Sequence, residues 1–235
     1  MKYAVKKLSF SLPCTAILII AMFFASSYFK VLETVQSVES IMPTVVLDAG
    51  HGGFDGGASV NNILEKDINL KIALNLADIL KINGFNVILT RKDDNAINTM
   101  GNSISQKKVS DMKNRLKIAE SYPDGIFVSI HLNKFTTSAP FGAQVFYGTK
   151  NEQSKNLAEC IQQSIKSMLQ KNNKRTVKSG TKDTYLLYKT TIPAVIVECG
   201  FLSNPTDFKL LQEEEYQRKM AFAIFCGIAF DYYER

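Results

Sequence analysis

Residues 44 to 235 predict an α/β domain with helices on both faces of a mostly parallel or mixed sheet, behind an apolar N-terminal segment. Two observations carry that prediction. From Thr44 onward, short apolar runs alternate with amphipathic stretches of helical period, as when helices pack over a sheet. Ahead of them, Leu8 to Phe29 holds no charged residue.

The N-terminal segment comes first. Its core, Thr15 to Ala25, is strongly apolar, and roughly 20 apolar residues match the thickness of a bilayer core. Lys2, Lys6 and Lys7 place residues 1–7 on the cytoplasmic side and the rest of the chain outside. Residues 8–29 therefore read as a transmembrane anchor or a signal segment. Ala25-Ser26-Ser27 offers small residues for cleavage, but the uncharged stretch is long for a signal peptide and favours an uncleaved anchor. Residues 30–43 form a polar linker ending at Pro43.

The elements of the domain follow. Thr44–Asp48 is a continuous apolar run, the pattern of a strand buried on both faces. Glu65–Ile82 carries Ile68, Ile72, Leu76, Ile79 and Leu80 at helical spacing, and Asn83-Gly84 ends it with a left-handed cap. Strands are expected at Phe85–Thr90, Gly125–Ile130, Ala143–Tyr147 and Ala194–Glu198, and helices at Ser110–Glu120, Ser154–Leu169 and Glu213–Tyr232. At 235 residues one main domain is expected.

The net charge of +6 is unevenly placed. Four of the 28 basic residues flank the apolar segment, which leaves 24 basic against 22 acidic from residue 31 onward. A nearly neutral domain gives no electrostatic case for nucleic acid. Cys160, Cys199 and Cys226 are widely spaced and Cys14 lies inside the apolar segment, so buried free thiols are expected rather than disulfides.

The chain has two histidines. His51 lies in a glycine-rich turn after the first strand, and His131 directly follows the strand ending at Ile130. Ligand sites in open α/β sheets gather beyond the carboxyl ends of strands. A catalytic zinc takes three protein ligands and keeps one position for water, so two histidines and one carboxylate would complete a site. Glu65, at the start of the first helix, and Glu198, at the end of an apolar strand, are the candidates. One should bind metal and the other handle protons. A non-haem iron centre uses the same donor types.

Five ordered blocks now form a recognisable set. They are Val46-Leu-Asp-Ala-Gly-His-Gly-Gly-Phe-Asp-Gly-Gly-Ala58, Glu65-Lys-Asp-Ile-Asn-Leu70, Val87-Ile-Leu-Thr-Arg91 with Asp94, Phe127-Val-Ser-Ile-His-Leu-Asn133, and Val197-Glu-Cys-Gly-Phe-Leu-Ser-Asn204. The chain from Thr44 onward resembles the N-acetylmuramoyl-L-alanine amidases, a family of zinc enzymes. The resemblance implies a three-layer αβα catalytic domain over 44–235, one zinc ion held by His51, Glu65 and His131, and Glu198 as the catalytic carboxylate. The reaction implied is hydrolysis of the amide between N-acetylmuramic acid and L-alanine of the peptidoglycan stem peptide. An anchored form without wall-binding repeats looks like the spore-cortex, germination-related branch, acting outside the cytoplasm, around the forespore, in some cases with an activator protein. Cys199, Glu120 and Thr206 depart from common family residues without touching this set.

Further expectations concern the surroundings. Asp48, Asp55 and Asn133 are candidates to orient the histidines, though loop fixing is the favoured role. Arg91 and Arg115 are weighed as grips for stem-peptide carboxylates against structural ion pairs, and the latter is favoured. Cys199 has no spare histidine to activate it as a nucleophile. Two rival functions remain: a metal hydrolase for another amide bond, and a non-catalytic wall-binding or assembly protein on the same fold.

Overall fold

The computed structural model describes residues 42 to 234, together with Met22, Ala25 and Ser26 in helical conformation. The expected flank at 1–7, the rest of the anchor at 8–29 and the linker up to residue 41 lie outside the described residues. Among the described residues no helix is long and apolar enough to cross a membrane.

Six strands form the central sheet, in the order β4-β1-β5-β8-β6-β7. In chain order they are β1 (Thr44–Ala49), β4 (Asn86–Leu89), β5 (Ile126–Asn133), β6 (Gln144–Tyr147), β7 (Lys178–Ser179) and β8 (Ala194–Phe201). A small hairpin, β2 (Ser59–Val60) with β3 (Ile63–Leu64), stands apart. All pairings in the large sheet are parallel except β6 with β8, so the sheet is mixed and mostly parallel. The helices are α1 (Glu65–Ile82), α2 (Ile104–Glu120), α3 (Gln153–Met168), α4 (Tyr185–Lys189), α5 (Pro205–Gln212) and α6 (Glu214–Tyr233).

Alternating strand residues divide the core in two, because successive side chains point to opposite faces. Val45, Leu47, Val128, Ile130, Val195 and Val197 pack beneath α1, α3 and α6 in the larger cluster. Val46, Phe127, Ala194 and Ile196 face the other way, against Ala119 of α2 and Leu186 and Leu187 of α4. Helices thus lie on both faces, which makes the three layers. The second face is thinly roofed, and its open end is where the polar residues collect.

Helix ends follow local chemistry. α1 closes on Gly84 at φ 85°, and the amides of Gly84 and Phe85 donate to Lys81 and Leu80 carbonyls as a Schellman cap requires. α2 begins at Ile104, six residues before the expected start. Ser103 and Gln106 form a reciprocal capping box there, and the first turns are polar, so apolar periodicity does not register them. The short elements β2, β3, β7, α4 and α5 are too brief for a periodic signal.

Two strands run further than their apolar content indicates. β5 continues through His131 to Asn133, and β8 continues through Glu198 to Phe201. Both site residues therefore sit within strands rather than just beyond or at their ends. Ladder pairing is a backbone property and survives a polar side chain facing an open cleft, with a register shift only between His131 and Asn133. No disulfide joins Cys160, Cys199 and Cys226 among the described residues; Cys199 is buried as expected, whereas Cys160 and Cys226 are only half-buried.

Candidate metal centre

The glycine turn between β1 and α1 delivers His51. His51 itself has φ 62°, a left-handed conformation costly for a residue with a Cβ and concentrated at functional sites. Its carbonyl accepts a hydrogen bond from Arg115 Nη2 at 2.6 Å, which helps hold that conformation. Arg115 is buried and also bonds Asp48, Asp111 and the Ala49 carbonyl. Asp48 accepts further bonds from Thr90 and Ser129. Burial alone would raise its pKa, but Arg115 and the two hydroxyls outweigh that and hold it below the usual range. Arg91 donates to the carbonyls of Ala49, Gly50, Lys66 and Asp93. Both arginines are therefore scaffolding beneath the turn.

Glu65, the first residue of α1, is 3% exposed and lies between the two histidines. Its Oε1 is 3.0 Å from Nδ1 of His131 and 3.3 Å from Nε2 of His51. The Leu132 amide and Asn69 Nδ2 also donate to Oε1, and the Ala58 amide donates to Oε2. Burial alone would raise the Glu65 pKa, but the hydrogen bonds and charge of His131 and His51 depress it strongly. The rings of His51 and His131 meet edge to face with centroids 4.9 Å apart. One ligand atom from each of His51, Glu65 and His131 falls within 4.8 Å of the others.

Asp55 Oδ2 lies 2.9 Å from Nδ1 of His51, the outer ring nitrogen, and Lys108 in turn pairs with Asp55. For His51, burial would lower the pKa, yet Asp55 and Glu65 outweigh it and raise the imidazole to about 9. Asp55 thus orients a histidine as well as fixing the loop, the role favoured from its sequence context. Asp48 acts one layer lower, through Arg115, and Asn133 contacts neither ring: its side chain accepts from the Lys134 amide.

Two glycines make this convergence possible. A Cβ on Gly50 would lie 2.2 Å from His131 Nε2. One on Gly57, at φ +69°, would lie 2.6 Å from Glu65 Oε2 and 2.7 Å from His51 Cδ2. Any side chain at either position would occupy ligand space.

Glu198 approaches from β8, where it is paired directly with His131. Its Oε2 is sealed from solvent and has no hydrogen-bond partner among the described residues. Burial raises its pKa to about 7, with His131 pulling the other way and Glu65 adding to the rise. Cys199 points into the opposite core, where burial raises its thiol far above its ordinary value. A cavity of about 280 Å³ opens over the cluster. Phe54, Lys108 and Met112 wall one side, and Thr184, Tyr185 and Leu186 of the α4 region the other. The α4 wall had no sequence signal beyond the apolar pair Leu186-Leu187.

Two imidazoles and a carboxylate converging at an open cleft, beside a second carboxylate raised towards neutrality, are the donor set of a metal-dependent hydrolase. The family model of the N-acetylmuramoyl-L-alanine amidases matches residues 45–229, and the chain belongs to that family. It is 35% identical over 185 residues to the germination-specific N-acetylmuramoyl-L-alanine amidase of Bacillus subtilis, covering 78% of this chain and 77% of that one. It is 44% identical to the CwlD amidase from Clostridioides difficile, solved in complex with the GerS lipoprotein. That match has a TM-score of 0.79 over 82% of this chain and all of that one. A second N-acetylmuramoyl-L-alanine amidase, from Clostridium difficile 630, superposes with TM-score 0.70 at 31% identity, covering 80% of this chain and 96% of that one. The enzyme is an N-acetylmuramoyl-L-alanine amidase acting on peptidoglycan, a substrate that lies outside the cytoplasm.

Proposed function

We propose that the enzyme is a zinc amidase in which His51, Glu65 and His131 hold the ion and Glu198 moves the protons. The carrying observation is the convergence of those three ligand atoms within 4.8 Å, with the unpartnered Glu198 oxygen beside them. The donors suit zinc in type and number, and Asp55 supplies the outer hydrogen bond that metal-bound histidines commonly make. A bound zinc ion would supply Lewis acidity, making water easier to deprotonate near pH 7 and drawing charge from the scissile carbonyl.

The remaining work falls to the protein's own side chains. Glu198, poised near neutrality by burial, takes a proton from the attacking water and hands it to the departing L-alanine nitrogen. Neither duty suits a permanently ionised surface carboxylate. Glu65, held ionised, keeps its oxygens as acceptors rather than donors.

The germination-specific relative and the lipoprotein-bound neighbour support two further readings: work on spore cortex peptidoglycan, and activation by a partner protein. The uncharged stretch Leu8–Phe29 supports tethering to the outer face of a membrane. Mass analysis of digested cortex peptidoglycan tests the reaction. The predicted products are stem peptides with a free N-terminal L-alanine and an intact glycan; glycan fragments or internally cut stems would refute it.

A further inference from the structure

The same strand pairing that sets Glu198 beside His131 extends one strand further. Gln144 of β6 is the direct partner of Glu198, so His131, Glu198 and Gln144 form a row across three neighbouring strands. Directly paired residues project to the same face of a sheet. The Gln144 amide is buried and fixed at both ends: Nε2 donates to the Thr176 carbonyl and Oε1 accepts from Arg175 Nη1, each at 2.8 Å.

Arg175, which reaches the far end of this row through Gln144, differs from Arg91 and Arg115. It is half-buried, with its guanidinium 4.4 Å from the centre of the Phe201 ring and its Nε donating to the Phe141 carbonyl. Among the described residues no carboxylate comes within ion-pair distance of it, and no hydrogen bond uses its Nη2. Asp207, the nearby acid, spends Oδ2 on the amides of Gly142 and Phe201. A braced cation with Nη2 unspent, and with Asp207 acting on it only at longer range, is able to receive an anion. Lys108, on the cavity wall, is already paired with Asp55.

Direction along the row identifies the anion. We infer that Arg175, braced by Gln144 and Phe201, binds the free carboxylate of the second stem-peptide residue and so selects acidic stems. This rests on the roles proposed above. The scissile carbonyl belongs at the His51–Glu65–His131 end and the departing nitrogen at Glu198, so the peptide continues towards Gln144. Two extended residues reach about 7 Å, and neighbouring strands stand about 4.8 Å apart. On that path the second residue's carboxylate arrives beyond Gln144, at the guanidinium.

The test compares glycan strands whose second stem residue carries either a free or an amidated carboxylate. Wild-type enzyme is expected to prefer the free acid by about tenfold in kcat/KM, mostly through KM. Arg175→Gln is expected to bring that ratio close to one. A folding defect would lower both rates together and leave the ratio in place. Should Arg175→Gln fail to fold, Arg175→Lys carries the test, since a point charge in place of the fork narrows the preference. Equal rates for wild type, or a preference undiminished in the variants, overturn the inference while leaving the amidase reading intact. Release of neither stem by wild type overturns that reading as well.

Discussion

His131 and Glu198 are paired residues on adjacent parallel strands, so one strand register sets the spacing between a metal-ligand candidate and the proposed proton carrier. The other two ligand candidates come from a turn and a helix start, and both depend on glycine for room. The functional consequences separate by residue.

Glu198→Gln keeps shape and hydrogen-bonding capacity but cannot take up a proton. Hydrolysis is expected to fall by about 10²–10⁴-fold while zinc content stays at one per chain. Turnover near wild type would remove Glu198 from its role.

Asp55→Ala deletes the acceptor 2.9 Å from Nδ1 of His51. Outer partners of metal-bound histidines are typically worth about 10–100-fold in affinity. A zinc titration should weaken by that factor, with little change in thermal stability of the metal-free protein. Unchanged affinity would make Asp55 a loop-fixing residue only.

Gly50→Ala puts a methyl group within 2.2 Å of the His131 ring. His131 must turn away, so zinc binding should be lost while circular dichroism stays native. A variant that binds zinc normally would show that the ring can be placed elsewhere.

Arg115→Met leaves Asp48 and Asp111 without their buried counter-charge and frees the His51 carbonyl. Removing one partner of a buried pair costs about 3–5 kcal/mol. Chemical denaturation should show that loss. A loss below about 1 kcal/mol, the range of exposed pairs, would mean the network is solvated.

Much of this architecture is legible in the residues themselves. The apolar run Val45–Leu47 and the helical spacing from Ile68 to Leu80 each bury what they expose in the sequence pattern. The five motif blocks mark where His51, Glu65, His131 and Glu198 fall. The strand ends were harder to read, because His131 and Glu198 interrupt apolar periodicity without interrupting backbone pairing. Gln144 and Arg175 carried no signal, since their meaning comes from cross-strand register and from a loop distant in sequence. Arg91 and Arg115 look alike in sequence as free cations; only the carbonyls and carboxylates around them show both to be spent.

The most direct test is anomalous diffraction at the zinc absorption edge from crystals of the zinc-loaded enzyme. The expected result is a single strong peak ligated by His51, Glu65 and His131, with Glu198 uncoordinated beside it. A peak ligated by Glu198 with Glu65 turned away, or no peak between the two imidazoles, would contradict the assignment.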